Sequence, residues 1–350
     1  MVEMKKKLSP KLSLALLLSV LAVLAAFAVM HSSSAPFAGR GPIKIKFAHA
    51  IPHGELMNYI IEDWMAEVTK RSGGKISFDY QPAGKLGSFV EIIEQVNLGT
   101  VDMSGGEPSL YEPWCPEVSM LYAPLICDDY DHLGRCIYGK PGKLIAEAMS
   151  QKSDIRILDW VYSGARVIAS VRPLRTLKDM RGLVVRSPES QVYIDTFTLF
   201  GMSPTPMAMG EMYEAIQIGV VEACDCPAQA LYEGGYHKIT GNICKSRHMY
   251  ALGVLSANEQ FWDDLPAEAR ELMLAVWNEL KDDFNRRVVA SENEYYDKFE
   301  AEGTLVTDFA DHEEFKKIAT PYWNEKAASI GGKANEILDA LNELRETKTK

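Results

Sequence analysis

The sequence predicts an α/β fold made of two successive units joined by one long helix, and three observations carry that prediction. Short strand-like segments alternate with helical stretches in two consecutive runs that meet near residues 162–164. An unbroken helical stripe then runs from residue 265 to Gly303. The chain has 350 residues, which suits two domains of ordinary size.

The elements follow in order. Residues 43–47 alternate apolar and charged side chains, a strand pattern, and the loop 49–55 leads into a helix with Met57, Ile60, Ile61, Trp64, Met65 and Val68 on one face. Gly73-Gly74 ends that helix, and Ile76, Phe78 and Tyr80 alternate in a second strand. Residues 89–98 read as a helix stopped by Gly99, and Val101-Asp102-Met103 opens a third strand running into Gly105-Gly106-Glu107. These spacings imply parallel pairing. Residues 108–139 read as irregular, 143–149 as a short helix and 155–162 as a strand. The second run has strands at 166–171, 183–186, 220–224 and 250–256, with helices at 191–200, 210–218 and 228–236. Asp263-Asp264 with Pro266 is a strong helix start. A rod of roughly 37 residues would be about 55 Å long, against about 30 Å for one domain, so it should lie along both. A last helix ends near Lys348.

Hydrophobic content of 47% and charged content of 24% describe a globular protein with ample core. A formal net charge of −11 argues against nucleic acid or an anionic membrane as partner. Lys5, Lys6, Lys7 and Lys11 precede an uncharged run at 12–30 and then Ser32-Ser33-Ser34-Ala35, the order of an export signal. Cleavage is expected near Ala35 or Ala38; an uncleaved anchor is the competing reading, since the run is long enough to span a bilayer. In an exported chain, six cysteines can form disulfides, and Cys127 and Cys136 are placed to close a short loop.

Arg166 opens one strand of the second run and Arg186 closes the next. A guanidinium cannot shed its charge, so among apolar neighbours each needs an anionic partner. That partner is an internal Asp or Glu, or a ligand anion; two such arginines at strand ends favour the ligand. No G-x-S-x-G elbow, Walker loop or G-x-G-x-x-G follows a strand, so neither a catalytic set nor a nucleotide cofactor is indicated. Cys224-Asp225-Cys226 with His237 and His248 has the residue types of a zinc site but not the usual cysteine spacing, and no metal is assigned. Tyr162, near the crossing between units, is a candidate to line a cleft.

Several phrases resemble the periplasmic solute-binding subunits of tripartite ATP-independent periplasmic (TRAP) transporters, the DctP-type family. They are Lys46-Phe47-Ala48-His49, Gly74-Lys75-Ile76, Gly84-Lys85-Leu86-Gly87, Gly99-Thr100-Val101-Asp102-Met103, Gly164-Ala165-Arg166, Met180-Arg181-Gly182-Leu183-Val184-Val185-Arg186-Ser187-Pro188 and Ser203-Pro204-Thr205-Pro206-Met207. The match runs to about Ala334. It implies a two-lobed, clam-shell periplasmic binding protein with a long helix across the hinge. Lobe I would be 39–163 plus about 252–291, lobe II 164–251 plus about 292–335, with a tail at 336–350 behind a signal at 1–38.

The resemblance also implies a small-molecule carboxylate ligand, Arg186 as its anchor, Arg166 as a second contact and Glu107 at the pocket. Delivery would be to the small and large membrane permease subunits. Where sugar-acid binders carry polar contacts this chain has Ala50, Phe89, Met209 and Cys226, so the expected ligand is a mono- or dicarboxylic acid with an apolar or aromatic body. Arg166, Lys85 and His49 are the candidates for a second carboxylate. An exported hydrolase or lyase and a sensory ligand-presenting protein are the alternatives on the same scaffold.

Overall fold

The structure, a computed structural model, describes residues 41–346, so the expected export signal and the last residues of the tail lie outside it. The first run forms as expected: β1 (Ile43–Ala48), α1 (Leu56–Arg71), β2 (Ile76–Gln81), α2 (Phe89–Asn97) and β3 (Met103–Gly106). β1 lies between β2 and β3, parallel to both. α1 turns Ile60, Ile61, Trp64 and Val68 onto the sheet. Ser88 and Glu91 form a capping box that fixes the start of α2, and with it Phe89.

The stretch read as irregular contains two 3-10 turns, Pro108–Tyr111 and Pro116–Tyr122, and a helix, α3 (Tyr130–Tyr138). Asp129 caps α3 by accepting from the His132 N–H at 2.7 Å. Its buried face is His132, Leu133, Cys136 and Ile137, half of it residues that do not read as apolar core. α4 (Lys140–Lys152) follows.

The two strands expected at 155–162 and 166–171 are one, β4 (Ile155–Ser170). Next come α5 (Leu177–Met180), β5 (Val184–Ser187), α6 (Gln191–Leu199), β6 (Ser203–Pro206), α7 (Met212–Gln217), β7 (Ala223–Pro227), α8 (Ala228–Glu233), α9 (Tyr236–Thr240), β8 (Asn242–Lys245), β9 (Tyr250–Asn258), α10 (Glu259–Asp264), α11 (Ala267–Ala301), β10 (Leu305–Asp308), α12 (His312–Ile330) and α13 (Ala334–Glu346). β7 thus lies a few residues beyond the expected 220–224, and the helix expected at 228–236 is split by Gly234-Gly235.

The main strand order is β2-β1-β3-β9-β4-β7-β5-β6. β4 belongs to two sheets. Its first part pairs with β9, which pairs in turn with β3; its last part pairs with β7 and β8, all antiparallel. β5 runs parallel to β6 and β7. The register of β4 against β9 shifts between Tyr162 and Gly164, where Gly164 has φ of 129°. The crossing between units is therefore a bulge inside a continuous strand.

α11 runs along both sheets, as expected of the rod. Near its start Trp277 meets the Trp64 ring edge-on at 5.9 Å, and the Trp64 indole donates to the Met273 carbonyl at 2.9 Å. In mid-helix Asn285 Oδ1 accepts from the Tyr162 N–H at 2.9 Å. Toward its end Tyr296 and Phe299 join the second core, with Val167 and Leu231. At the C-terminus, α13 reaches α3, where His132 Nε2 donates to the Leu341 carbonyl at 3.0 Å. All six cysteines are buried free thiols. Cys127 and Cys136 do lie together, with His132, all ligand atoms within 4.8 Å. Among the described residues no helix is long and apolar enough to cross a membrane.

Candidate functional site

A cavity of about 80 Å³ opens where the ends of the two sheets face each other. One wall carries Ile51, Glu55 and Met57 from the β1–α1 connection and the head of α1, Phe89 from α2, and Glu107 and Leu110 beyond β3. The other carries Arg166 of β4, Arg186 of β5, Met209, and Cys226 at the end of β7. Ser163, Leu252 and Gly253 form part of the floor. A wider hollow of about 410 Å³ adjoins it and shares Phe89, Leu110, Arg186 and Met209, so Arg186 borders both spaces.

Arg186 is 4% exposed. Its Nε and Nη2 both donate to the Met207 carbonyl, at 3.1 and 2.8 Å. The Met207 N–H donates back to the Ser187 carbonyl at 3.1 Å, which fixes this carbonyl and hence the guanidinium plane. Among the described residues no carboxylate lies within ion-pair distance of Arg186, and Nη1 makes no hydrogen bond. A buried guanidinium with its end free to donate can take both oxygens of one carboxylate.

Arg166 is placed differently. Its Nε meets Asp225 Oδ2 at 2.5 Å, and Nη2 donates to Asp225 Oδ1 at 3.1 Å and to the Asp225 carbonyl at 2.9 Å. Nη1 lies 3.6 Å from Glu107 Oε2, and the guanidinium stacks over Tyr193 at 4.7 Å. His248 Nε2 reaches the same Asp225 Oδ2 at 3.2 Å, and Ser246 lies 2.8 Å from His248 Nδ1. Burial by itself would raise the Asp225 pKa, but Arg166 and His248 hold it well below the usual carboxylate range. Burial lowers that of His248, so its Nε2–H faces Asp225 as a neutral donor. Arg166 thus has the internal partner that was the alternative reading, while its side chain still lines the cavity.

The alternation of β7 explains why. Asp225 points to the β4 side chain Arg166, while Cys224 and Cys226 pack in the apolar core of the second sheet with Val167 and Leu231. His237 instead meets Glu302 at 3.1 Å. These residues therefore do not converge as the zinc set that the sequence raised. Burial pushes the Cys226 thiol up to about 12.

Glu107 accepts from Ser109 at 3.3 Å and Tyr193 at 3.4 Å, and burial raises its pKa against the pull of Arg166. Tyr162 lies apart from the cavity. Its hydroxyl donates to the Tyr130 carbonyl at 3.0 Å and its ring packs on Tyr130, bracing the bulge. His49 is buried against Tyr80 at 2.8 Å, its pKa lowered to about 4 by burial, and does not line the cavity; nor does Lys85.

Glu55 is the cavity residue that sequence reasoning missed. It precedes α1 as N-cap, yet its side chain makes no capping bond. Burial, and secondarily Glu107, raise its pKa to about 7 against the opposing pull of Arg166. The one available signal was an acid between Gly54 and a helix start, where capping is the ordinary reading.

The family described as Bacterial extracellular solute-binding protein, family 7 (DctP) matches residues 47–329. The chain belongs to this family. It is 28% identical over 260 residues to the sialic acid-binding periplasmic protein SiaP of Vibrio cholerae, covering 74% of this chain and 81% of that one. It is 27% identical over 299 residues to the C4-dicarboxylate-binding periplasmic protein DctP of Rhodobacter capsulatus, covering 83% and 88%. Among solved structures, a TRAP periplasmic solute-binding protein from Desulfovibrio desulfuricans with bound sn-glycerol-3-phosphate superposes with a TM-score of 0.82 at 24% identity, covering 88% and 99%. One from a Polaromonas species bound to D-erythronate gives 0.79 at 25%, covering 85% and 98%. The DctP-type protein is thus an extracytoplasmic solute-binding protein of the TRAP class on the two-lobed fold. It is not an enzyme, which removes the exported hydrolase or lyase reading.

Proposed function

We propose that this DctP-family protein captures a small organic acid outside the cytoplasm, using Arg186 as the carboxylate anchor, and hands it to the membrane permease subunits of a TRAP transporter. The observation that carries this reading is Arg186 itself: a buried guanidinium at the cavity, with no acidic partner among the described residues. Arg166 with Asp225 and Glu107 serves as the fixed polar wall beside it. An export signal at 1–38 would bring the protein to its place of action.

Two lobes divided near residue 163 and joined by α11 would close on the ligand, because its contacts come from both walls and binding shifts the equilibrium toward the state that makes more of them. The apolar share of the lining (Ile51, Met57, Phe89, Leu110, Met209 and Leu252) supports an acid with an apolar body. Titration calorimetry with short mono- and dicarboxylic acids beside sialic, uronic and aldonic acids tests this. An apolar-bodied acid should be the tightest ligand; sialic acid or a hexuronate in that place would refute the preference.

A further inference from the structure

We propose that the cavity is built for a zwitterion, an acid that carries an N–H-bearing ammonium group as well as its carboxylate, with Glu55 as the acceptor for the ammonium. This rests on the reading of Arg186 as carboxylate anchor and goes on to name the ligand's second charge.

The argument begins with what Glu55 does not do. An acid at the N-cap of a helix normally turns back to accept from the helix's free N–H groups. Glu55 leaves those groups of α1 alone and lines the cavity. Its side chain has no hydrogen bond or ion pair among the described residues. A half-buried carboxylate without donors is costly. The cation beside it gives little relief: Arg166 spends Nε and Nη2 on Asp225 and turns Nη1 toward Glu107.

The charges that face the cavity give the same answer. Asp225 and Glu107 share Arg166 as ion-pair partner, which leaves Arg186 and Glu55 as the charged groups of the lining with no ion-pair partner among the described residues. An acid without nitrogen would satisfy Arg186 and leave Glu55 facing a further anion. A zwitterion satisfies both, and Glu107 stands ready as a second acceptor on the same wall. Burial raises the Glu55 pKa to about 7, as befits a carboxylate lacking a cationic partner. An ammonium with N–H bonds suits it better than a quaternary nitrogen, which has nothing to donate. The small volume and the apolar side chains over the rest of the wall favour an amino acid with a compact hydrocarbon side chain.

The test is calorimetry on the whole protein with matched pairs: valine and 3-methylbutanoate, leucine and 4-methylpentanoate, phenylalanine and 3-phenylpropanoate. Wild type should bind at least one amino acid at least about tenfold tighter than its nitrogen-free partner. Glu55→Gln, shown to be folded by circular dichroism, should erase that preference by weakening the amino acid, not by improving the partner alone. Nitrogen-free acids binding as tightly as amino acids, or a preference that survives Glu55→Gln, would overturn the zwitterion while leaving Arg186 as anchor. If neither class binds, and sugar acids are equally inert, the carboxylate reading fails and the zwitterion with it.

Discussion

Arg166 gives Nε and Nη2 to Asp225, whereas Arg186 gives the same two nitrogens to the carbonyl of Met207. From the sequence both looked alike, each an arginine at the end of a strand. The partner that separates them sits 59 residues from Arg166, on a neighbouring strand, and no local pattern joins the two. Their replacement should therefore act on different properties. Arg166→Ala leaves Asp225 buried with only His248, and should cost about 3–5 kcal/mol of stability in urea unfolding. Glu55 offers a pH signature. Its folded pKa, about 7, lies above the ordinary 4.5, so between these values the folded state holds a proton that the unfolded chain has lost. The stability from this group is complete below about 4.5 and is lost as pH rises through about 7. Burial sets this value, Arg166 pulls it down and Glu107 pushes it up; Cys226 on the cavity wall and Tyr236 on α9 also face the group. Glu55→Gln should raise the unfolding free energy relative to wild type at pH 8 and not at pH 4, by at most about 3 kcal/mol. An equal shift at both pH values would assign the effect to packing.

At the scale of elements, the long helix and the six-residue strands β1 and β2 were legible because their periods persist, and β3 through the glycines that follow Val101-Asp102-Met103. β6, β8 and β10 were not. Each has four residues, too few for a period, and β6 carries Pro204 and Pro206, which it tolerates at the end of the strand order. The unity of β4 was hidden by Ser163-Gly164, which reads as a turn but forms the bulge. A Cβ at residue 164 would come 2.8 Å from that of Pro227, at a φ of 129° that L residues rarely adopt. Gly164→Ala should thus destabilise the protein by about 1–3 kcal/mol and disturb the crossing between the sheets. Thermal melts with and without ligand would measure it; an unchanged melting temperature would show that the bulge is not held by this contact.

On the scale of the whole molecule, the cavity exists because β4 passes from one sheet to the other and α11 spans both, leaving the loop ends of two α/β units opposed. The sequence phrases located Arg186, Arg166, Glu107, Phe89, Met209 and Cys226, and all six line that cavity; Tyr162 braces the crossing instead. Glu55 escaped because its meaning lies in the bond it does not make, which shows only in the folded chain. The central claim is that Arg186 anchors a ligand carboxylate, and calorimetric titration of wild type and Arg186→Ala with the tightest acid tests it most directly. The account predicts one site per chain and a loss of about 2–5 kcal/mol of binding free energy in the variant, with Arg186→Lys recovering only part. An Arg186→Ala protein whose affinity stays within about threefold of wild type would contradict it.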